Sequence, residues 1–187
     1  MQLFWDEESN ISNHSSDNRL GRRIAQNVRR HPQLTLTAIS IMRWLQPRFT
    51  AGVVGVLLNN IEEVLLVEHV FHSKIPWGLP GGWVNRNELL TAAVEREFFE
   101  ETGLKVKTLY PLNTWSSPYW KNHIDVAFAV ELVDNTMSHP PLTLSRELLA
   151  YQWLSRAELP HLFREHVHVI DLALAYRHSR NGLPPLK

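Results

Sequence analysis

The chain has 187 residues, sets 19 basic against 19 acidic side chains for a formal net charge of zero, and contains no cysteine. Such a length suits one domain with a full hydrophobic core plus an appendage. The charge balance argues against a general polyanion binder, and a chain without thiols has no disulfides, thiolate metal sites or cysteine nucleophiles. No apolar run approaches the roughly 18 residues of a spanning helix, and no basic segment followed by an apolar one opens the chain. The expectation is therefore a protein without membrane segments, working in the cytoplasm.

Residues 1–18 are rich in Asn, Ser and Asp, and only Leu3, Phe4, Trp5 and Ile11 offer apolar surface, so this end reads as mobile or loosely docked. From Arg19 to Arg30, Leu20, Ile24 and Val28 recur every fourth residue among Arg19, Arg22, Arg23, Arg29 and Arg30, the pattern of an amphipathic basic helix. His31-Pro32 ends it. Two uses fit: a helix docked by its apolar stripe with the arginines in water, or a contact for phosphate, RNA or a partner subunit. Leu34, Leu36, Ile39, Ile41, Met42, Trp44 and Leu45 follow in a pattern that periodicity leaves open between helix and strand. It is taken as a helix packing on the core or on another chain, the latter implying a homodimer. Residues 1–48 thus form an N-terminal extension, and residues 49–187 the expected main domain.

In that domain Thr50–Leu58 and Val64–Val70 are Val- and Leu-rich strands on either side of an Asn59-Asn60 turn, expected to pair as a hairpin. A Gly-rich loop spans Trp77–Val84. A helix is predicted from Asn87, a good N-cap, to Thr102, with Gly103 in the left-handed position that closes it. Val106–Trp115, His123–Val133 and Tyr151–Leu154 read as strands, and Phe163–His178 as a closing helix with Val167, Ile170, Leu174 and Ala175 inward. Mixed strands flanked by helices imply an α/β sandwich with a mixed sheet.

The most informative stretch is Gly82–Leu104, GWVNRNELLTAAVEREFFEETGL, which gathers Glu88, Arg96, Glu97, Glu100 and Glu101. Glu97, Glu100 and Glu101 stand at i, i+3 and i+4, so three carboxylates share one helical face and repel one another unless a cation neutralises them. Mg²⁺ suits this chemistry, with Mn²⁺ as a substitute, because hard divalent ions take oxygen ligands and are commonly shared with substrate phosphates. An ordinary solvated acidic face is the plainer reading of such a run. It does not account for the spacing of Gly82, Glu88, Arg96, Glu97, Phe98, Glu100, Glu101, Gly103 and Leu104. At those positions the chain resembles the Nudix hydrolases, whose motif reads G, five residues, E, seven residues, R-E-U-x-E-E-x-G-U, with U a bulky apolar residue. Leu79-Pro80-Gly81 resembles the family's lead-in, and the looser likeness covers about residues 49–176. Asn87 and Asn85 depart from it, where many relatives carry a glycine and an acidic residue.

The resemblance implies a Nudix α/β/α sandwich and metal-dependent hydrolysis of a nucleoside diphosphate derivative, ADP-ribose or a nucleotide sugar first. It implies that Glu97 and Glu101 ligate Mg²⁺, that Glu100 ligates it or helps deprotonate the attacking water, and that a backbone carbonyl near Gly81 or Gly82 adds an oxygen. Arg96 joins this catalytic set by pairing with Glu88 and orienting loop against helix, while Phe98 and Leu104 anchor the helix. For a general base, Glu147 is preferred over Glu158, its other reading being a helix-cap or surface carboxylate. Pro118 falls near a proline of ADP-ribose-cleaving relatives. Trp77, Trp115, Tyr119 and Trp120 offer faces for a nucleobase, and His69, His72 and His123 are candidate phosphate contacts. Alternatives are removal of pyrophosphate from an RNA 5′ end, with the Arg19–Arg30 helix on the phosphates, and a non-catalytic sensor of a nucleotide metabolite.

Overall fold

The computed structural model describes residues 19–30, 32–72, 74–118, 120–134 and 136–180. The first 18 residues and Tyr119 therefore lie outside the described residues. The chain divides into two compact units, Met1–Pro47 and Arg48–Lys187. The first unit contains helices α1 (Arg19–Arg30) and α2 (Pro32–Leu45). Pro32 opens α2, where a missing N–H costs nothing because the first turn has no acceptor for it. The Thr35 hydroxyl donates to the Val28 carbonyl at 3.4 Å, tying the two helices together.

In the second unit, strands β1 (Thr50–Leu57), β2 (Val64–His69), β3 (Trp77–Gly78) and β4 (Gly81–Trp83) precede helix α3 (Leu90–Thr102). After it come β5 (Val106–Ser116), β6 (His123–Leu132), β7 (Leu148–Leu154), a single 3₁₀ turn at Arg156–Glu158 and helix α4 (Arg164–Arg180). The strands form two sheets, ordered β4-β1-β6-β5 and β3-β2-β7. β1 runs parallel to β6 and antiparallel to β4.

The central strands are apolar on both faces because each face meets a different core. Val53 and Leu57 of β1 pack with Val126, Phe128 and Val130 of β6 and with Val94 and Phe98 of α3. Val56, Leu66 and Ala127 pack with Val169, Ile170, Ala173 and Leu174 of α4. Alternating residues of one strand thus serve the two helical layers, the arrangement of a sandwich.

Three sequence expectations change. The Asn59 turn forms, its side-chain oxygen accepting the Ile61 and Glu63 N–H groups at 3.1 and 2.9 Å. β1 and β2 do not make a hairpin, however; they enter different sheets and share one bridge, Leu58–Val64. Both edges of β1 are already taken, by β4 and β6. Helix α3 starts at Leu90 rather than after Asn87, which instead takes φ 62 in the preceding turn. There the Glu88 carboxylate bonds the Asn85 N–H at 2.8 Å, which holds residues 85–88 out of the helix. The buried stripe of α4 is Val169, Ile170, Ala173 and Leu174, with Val167 partly buried, instead of one running to Ala175.

Candidate active site

Gly81 and Gly82 bring the start of β4 against α3. The Gly81 N–H donates to Glu101 Oε2 at 2.8 Å. A Cβ on Gly82 would lie 2.5 Å from Glu97 Cδ, so only glycine lets the backbone approach that carboxylate. Glu101 is buried, and burial pushes its carboxyl up to about 8 against the pull of the Gly81 bond, with the charges of Glu97 and Glu147 adding to the rise. Burial likewise lifts Glu97 above the ordinary carboxylate range. Glu100, one residue before Glu101, is exposed on the same face. At the far end of α3, Gly103 takes φ 74 and its N–H returns to the Phe99 carbonyl, the left-handed cap expected of it.

Arg96 binds the acidic face together. Its guanidinium donates to Glu88 at 2.7 Å, Glu97 at 2.7 Å, Glu100 at 3.0 Å and the Trp83 carbonyl at 3.0 Å. The planar fork explains how one side chain serves so many acceptors. Those bonds and the Asn85 N–H hold Glu88 down at about 2.

These groups line a cleft of about 870 Å³ that also takes in Pro118, Trp115, Trp120, Asp125, Arg146 and Glu147. Two groups of rings line it. In one, Trp83 meets Trp120 edge-on at 5.9 Å and His123 at 4.7 Å. His123 is buried between the Thr50 hydroxyl at 2.7 Å and Asp125 at 3.0 Å, partners that the parallel register of β1 and β6 sets beside one another. In the other, His69 stands 4.7 Å from His72, and Phe163 lies near both His72 and His166. His166 Nδ1 accepts the Leu79 N–H at 3.3 Å, and burial holds both His69 and His166 at about 4, hence neutral at pH 7.

Glu147 reaches this cleft on a tethered segment. The carbonyls of Glu101 and Thr102, at the end of α3, accept the Ser145 and Thr143 N–H groups, each at 2.9 Å, and the Glu147 carbonyl accepts the Val70 N–H at 2.9 Å. Glu158 sits in the 3₁₀ turn instead, its carboxylate bonded by the Ser155 hydroxyl at 2.6 Å.

Comparison with known proteins follows the same boundaries. The NUDIX domain family model matches residues 48–173. The chain belongs to the Nudix family. It is 29% identical over 130 residues to the 8-oxo-dGDP phosphatase NUDT18 of Homo sapiens, a match covering 67% of this chain and 39% of that protein. It is 31% identical over 105 residues to the NAD-capped RNA hydrolase NudC of Salmonella paratyphi C (strain RKS4594), covering 56% of this chain and 39% of that one. The chain therefore spans well under half the length of these curated relatives. The fold resembles a solved NUDIX hydrolase from Nitrosomonas europaea, with a TM-score of 0.60 at 20% identity over 76% of this chain and 78% of that one.

One cleft thus brings together Gly82, Arg96, Glu97, Glu100, Glu101, Pro118 and Glu147. Trp77 is placed elsewhere: it is half-buried in β3, packs against the α4-side core and does not line the cleft. Sequence reasoning missed Trp83, Asp125 and His166. Trp83 follows Gly82 directly in β4, and its place beside a glycine pair was the available signal; Asp125 and His166 depend on strand register and helix docking that no local pattern encodes.

The donor set fits a hard divalent ion. Among the described residues no three acidic or histidine side chains already converge as a metal cage, and Mg²⁺ does not require one, since it commonly uses one or two carboxylates, water and substrate phosphates. Glu97 and Glu101, with carboxyls raised chiefly by burial and further by neighbouring carboxylates, Glu100 and Glu88 at the first and Glu97 and Glu147 at the second, are the groups such an ion would stabilise.

Proposed function

We propose that this chain hydrolyses the phosphoanhydride bond of a nucleoside diphosphate derivative, with Mg²⁺ or Mn²⁺ held by Glu97, Glu101 and a backbone carbonyl at Gly82. The observation that carries this reading is the seating of buried Glu101 and half-buried Glu97 against Gly81 and Gly82 at the start of β4, within a cleft of about 870 Å³. A divalent ion bound there would offset charge on the phosphate oxygens and acidify water. The chain's own residues supply the rest. Glu100 and Glu147 are the carboxylates available to take the proton of the attacking water as the P–O anhydride bond breaks. Arg96 keeps α3 and the preceding turn in register through Glu88 and Trp83. Pro118, Trp83 and Trp120 give the nucleoside an apolar and aromatic wall.

ADP-ribose or a nucleotide sugar leads as substrate, because a cleft with two separate ring groups suits a diphosphate carrying a substituent on each side. The second reading, hydrolysis at an NAD-capped or triphosphorylated RNA 5′ end, is favoured by the likeness to NudC. A panel of ADP-ribose, nucleotide sugars, dinucleoside polyphosphates, NADH and capped or triphosphorylated RNA, incubated with Mg²⁺ and scored for phosphate-containing products, tests both. Cleavage of RNA alone would replace the leading substrate class. No cleavage of any member would sink the enzymatic reading in favour of a nucleotide sensor.

A further inference from the structure

We propose that the helix pair α1–α2 is a peripheral docking element for anionic phospholipid bilayers. The first observation is one-sided charge. α1 carries five arginines and α2 carries Arg43, with no aspartate or glutamate in either. Arg22, Arg23, Arg29, Arg30 and Arg43 are exposed. In a chain of zero net charge this is a strong local excess, and it matches a negatively charged lipid surface.

The second observation is the surface of α2. Leu36, Ile39, Ile41, Met42, Trp44 and Leu45 are all exposed, Trp44 by 76%. The polar residues among them do not make that surface wet. Thr37 Oγ1 donates to the Gln33 carbonyl at 2.9 Å and Ser40 Oγ to the Leu36 carbonyl at 2.8 Å. Hydroxyls satisfied within their own helix lose little on leaving water, which is how such residues are accommodated in lipid. At about 1.5 Å per residue the 14 residues of α2 reach roughly 21 Å, short of a hydrocarbon core of about 30 Å. No helix among the described residues is long and apolar enough to cross a membrane. Too short to span, a helix pair that exposes arginines on α1 and apolar side chains around α2 suits the interface, where guanidinium groups meet headgroups and aliphatic groups enter the acyl boundary.

Two other occupants fit less well. RNA would satisfy the arginines but gains nothing from exposed leucine, isoleucine and methionine. A second copy would bring two acid-free arginine clusters toward each other, where like charges repel.

The test uses the full chain in flotation with vesicles of phosphatidylcholine alone or with phosphatidylglycerol. The expected result is co-flotation with the anionic vesicles only, weakened by salt. Arg22→Glu/Arg23→Glu and Ile41→Ser/Trp44→Ser should each cut the bound fraction about tenfold, with melting temperatures confirming the folded second unit. Equal binding to neutral vesicles, or flotation unmoved by either pair of substitutions, overturns the proposal. So does absence of flotation with the anionic vesicles, whether accompanied by a dimer that Ile41→Ser/Trp44→Ser dissociates in sedimentation, by RNA retention lost in Arg22→Glu/Arg23→Glu, or by neither. These readouts do not depend on hydrolysis, so the active-site reading stands or falls separately.

Discussion

Glu88 and Glu101 belong to one 23-residue motif, yet the fold treats them in opposite ways. Glu88 lies in the turn ahead of α3, takes two bonds from Arg96 and one from the Asn85 N–H, and is held at about 2. Glu101 is buried, has a single backbone donor, faces other carboxylates and is pushed up to about 8. The first carries its own counter-charge and acts as a brace. The second is left short of positive charge at the edge of a large cleft, which is where a bound cation would have the most to stabilise. The contrast divides the motif's glutamates by environment, where their shared chemistry does not.

Substitutions can break that division. The largest effect is expected for Glu101→Gln, which should lower turnover by about a hundredfold or more while the melting temperature without metal holds or rises, because an amide removes the repelled charge and keeps the Gly81 bond. Wild-type turnover in this variant would assign Glu101 to structure alone. Next comes Gly82→Ala, whose new methyl must displace the Glu97 carboxylate. Turnover should fall about tenfold or more by the sensitivity of reacting geometry to small displacements, with circular dichroism unchanged. Trp120→Ala should raise KM about tenfold for a nucleotide substrate, as loss of one stacking face implies, with kcat little altered; an effect on kcat alone would take Trp120 off the substrate. Arg96→Met should destabilise the fold by about 1–2 kcal/mol, read by urea denaturation, since it frees three carboxylates at once.

The smallest effect concerns pH. Glu88 is held below its ordinary 4.5, so its contribution to stability is present above about 4.5 and is lost as pH falls toward about 2. Glu88→Gln should therefore flatten the acid side of the stability curve between those values. A curve identical to that of the parent chain would remove Glu88 from the brace.

Much of this is legible in the amino-acid sequence. The motif placed Glu97, Glu100 and Glu101 on one face, Gly103 announced a left-handed cap, and Arg96 with Glu88 formed the expected pair, because all of these depend on helix spacing and local backbone geometry. Asn87, expected as the N-cap, instead takes left-handed geometry in the turn before the helix. The hairpin expected across Asn59 failed because local turn chemistry specifies a reversal without specifying which edge of β1 remains free. The aromatic residues divided the same way. Nothing local distinguishes Trp77, packed on a core, from Trp83, open to the cleft; that depends on which sheet each strand joins. The Thr50–His123–Asp125 chain is further out of reach, since it arises from the parallel pairing of strands some seventy residues apart.

The tether between α3 and the segment before β7 constrains how the site can move. Residues 143–145 are bonded to the last carbonyls of α3, and Glu147 is bonded onward to Val70. Glu147 is consequently not mounted on a free flap: any excursion of its backbone strains the helix that carries Glu97 and Glu101, or the end of β2. Adjustments to a substrate should fall to the side chains and to the Trp120 side of the cleft, leaving the spacing between the acid cluster and its neighbouring carboxylate set by the frame of the protein.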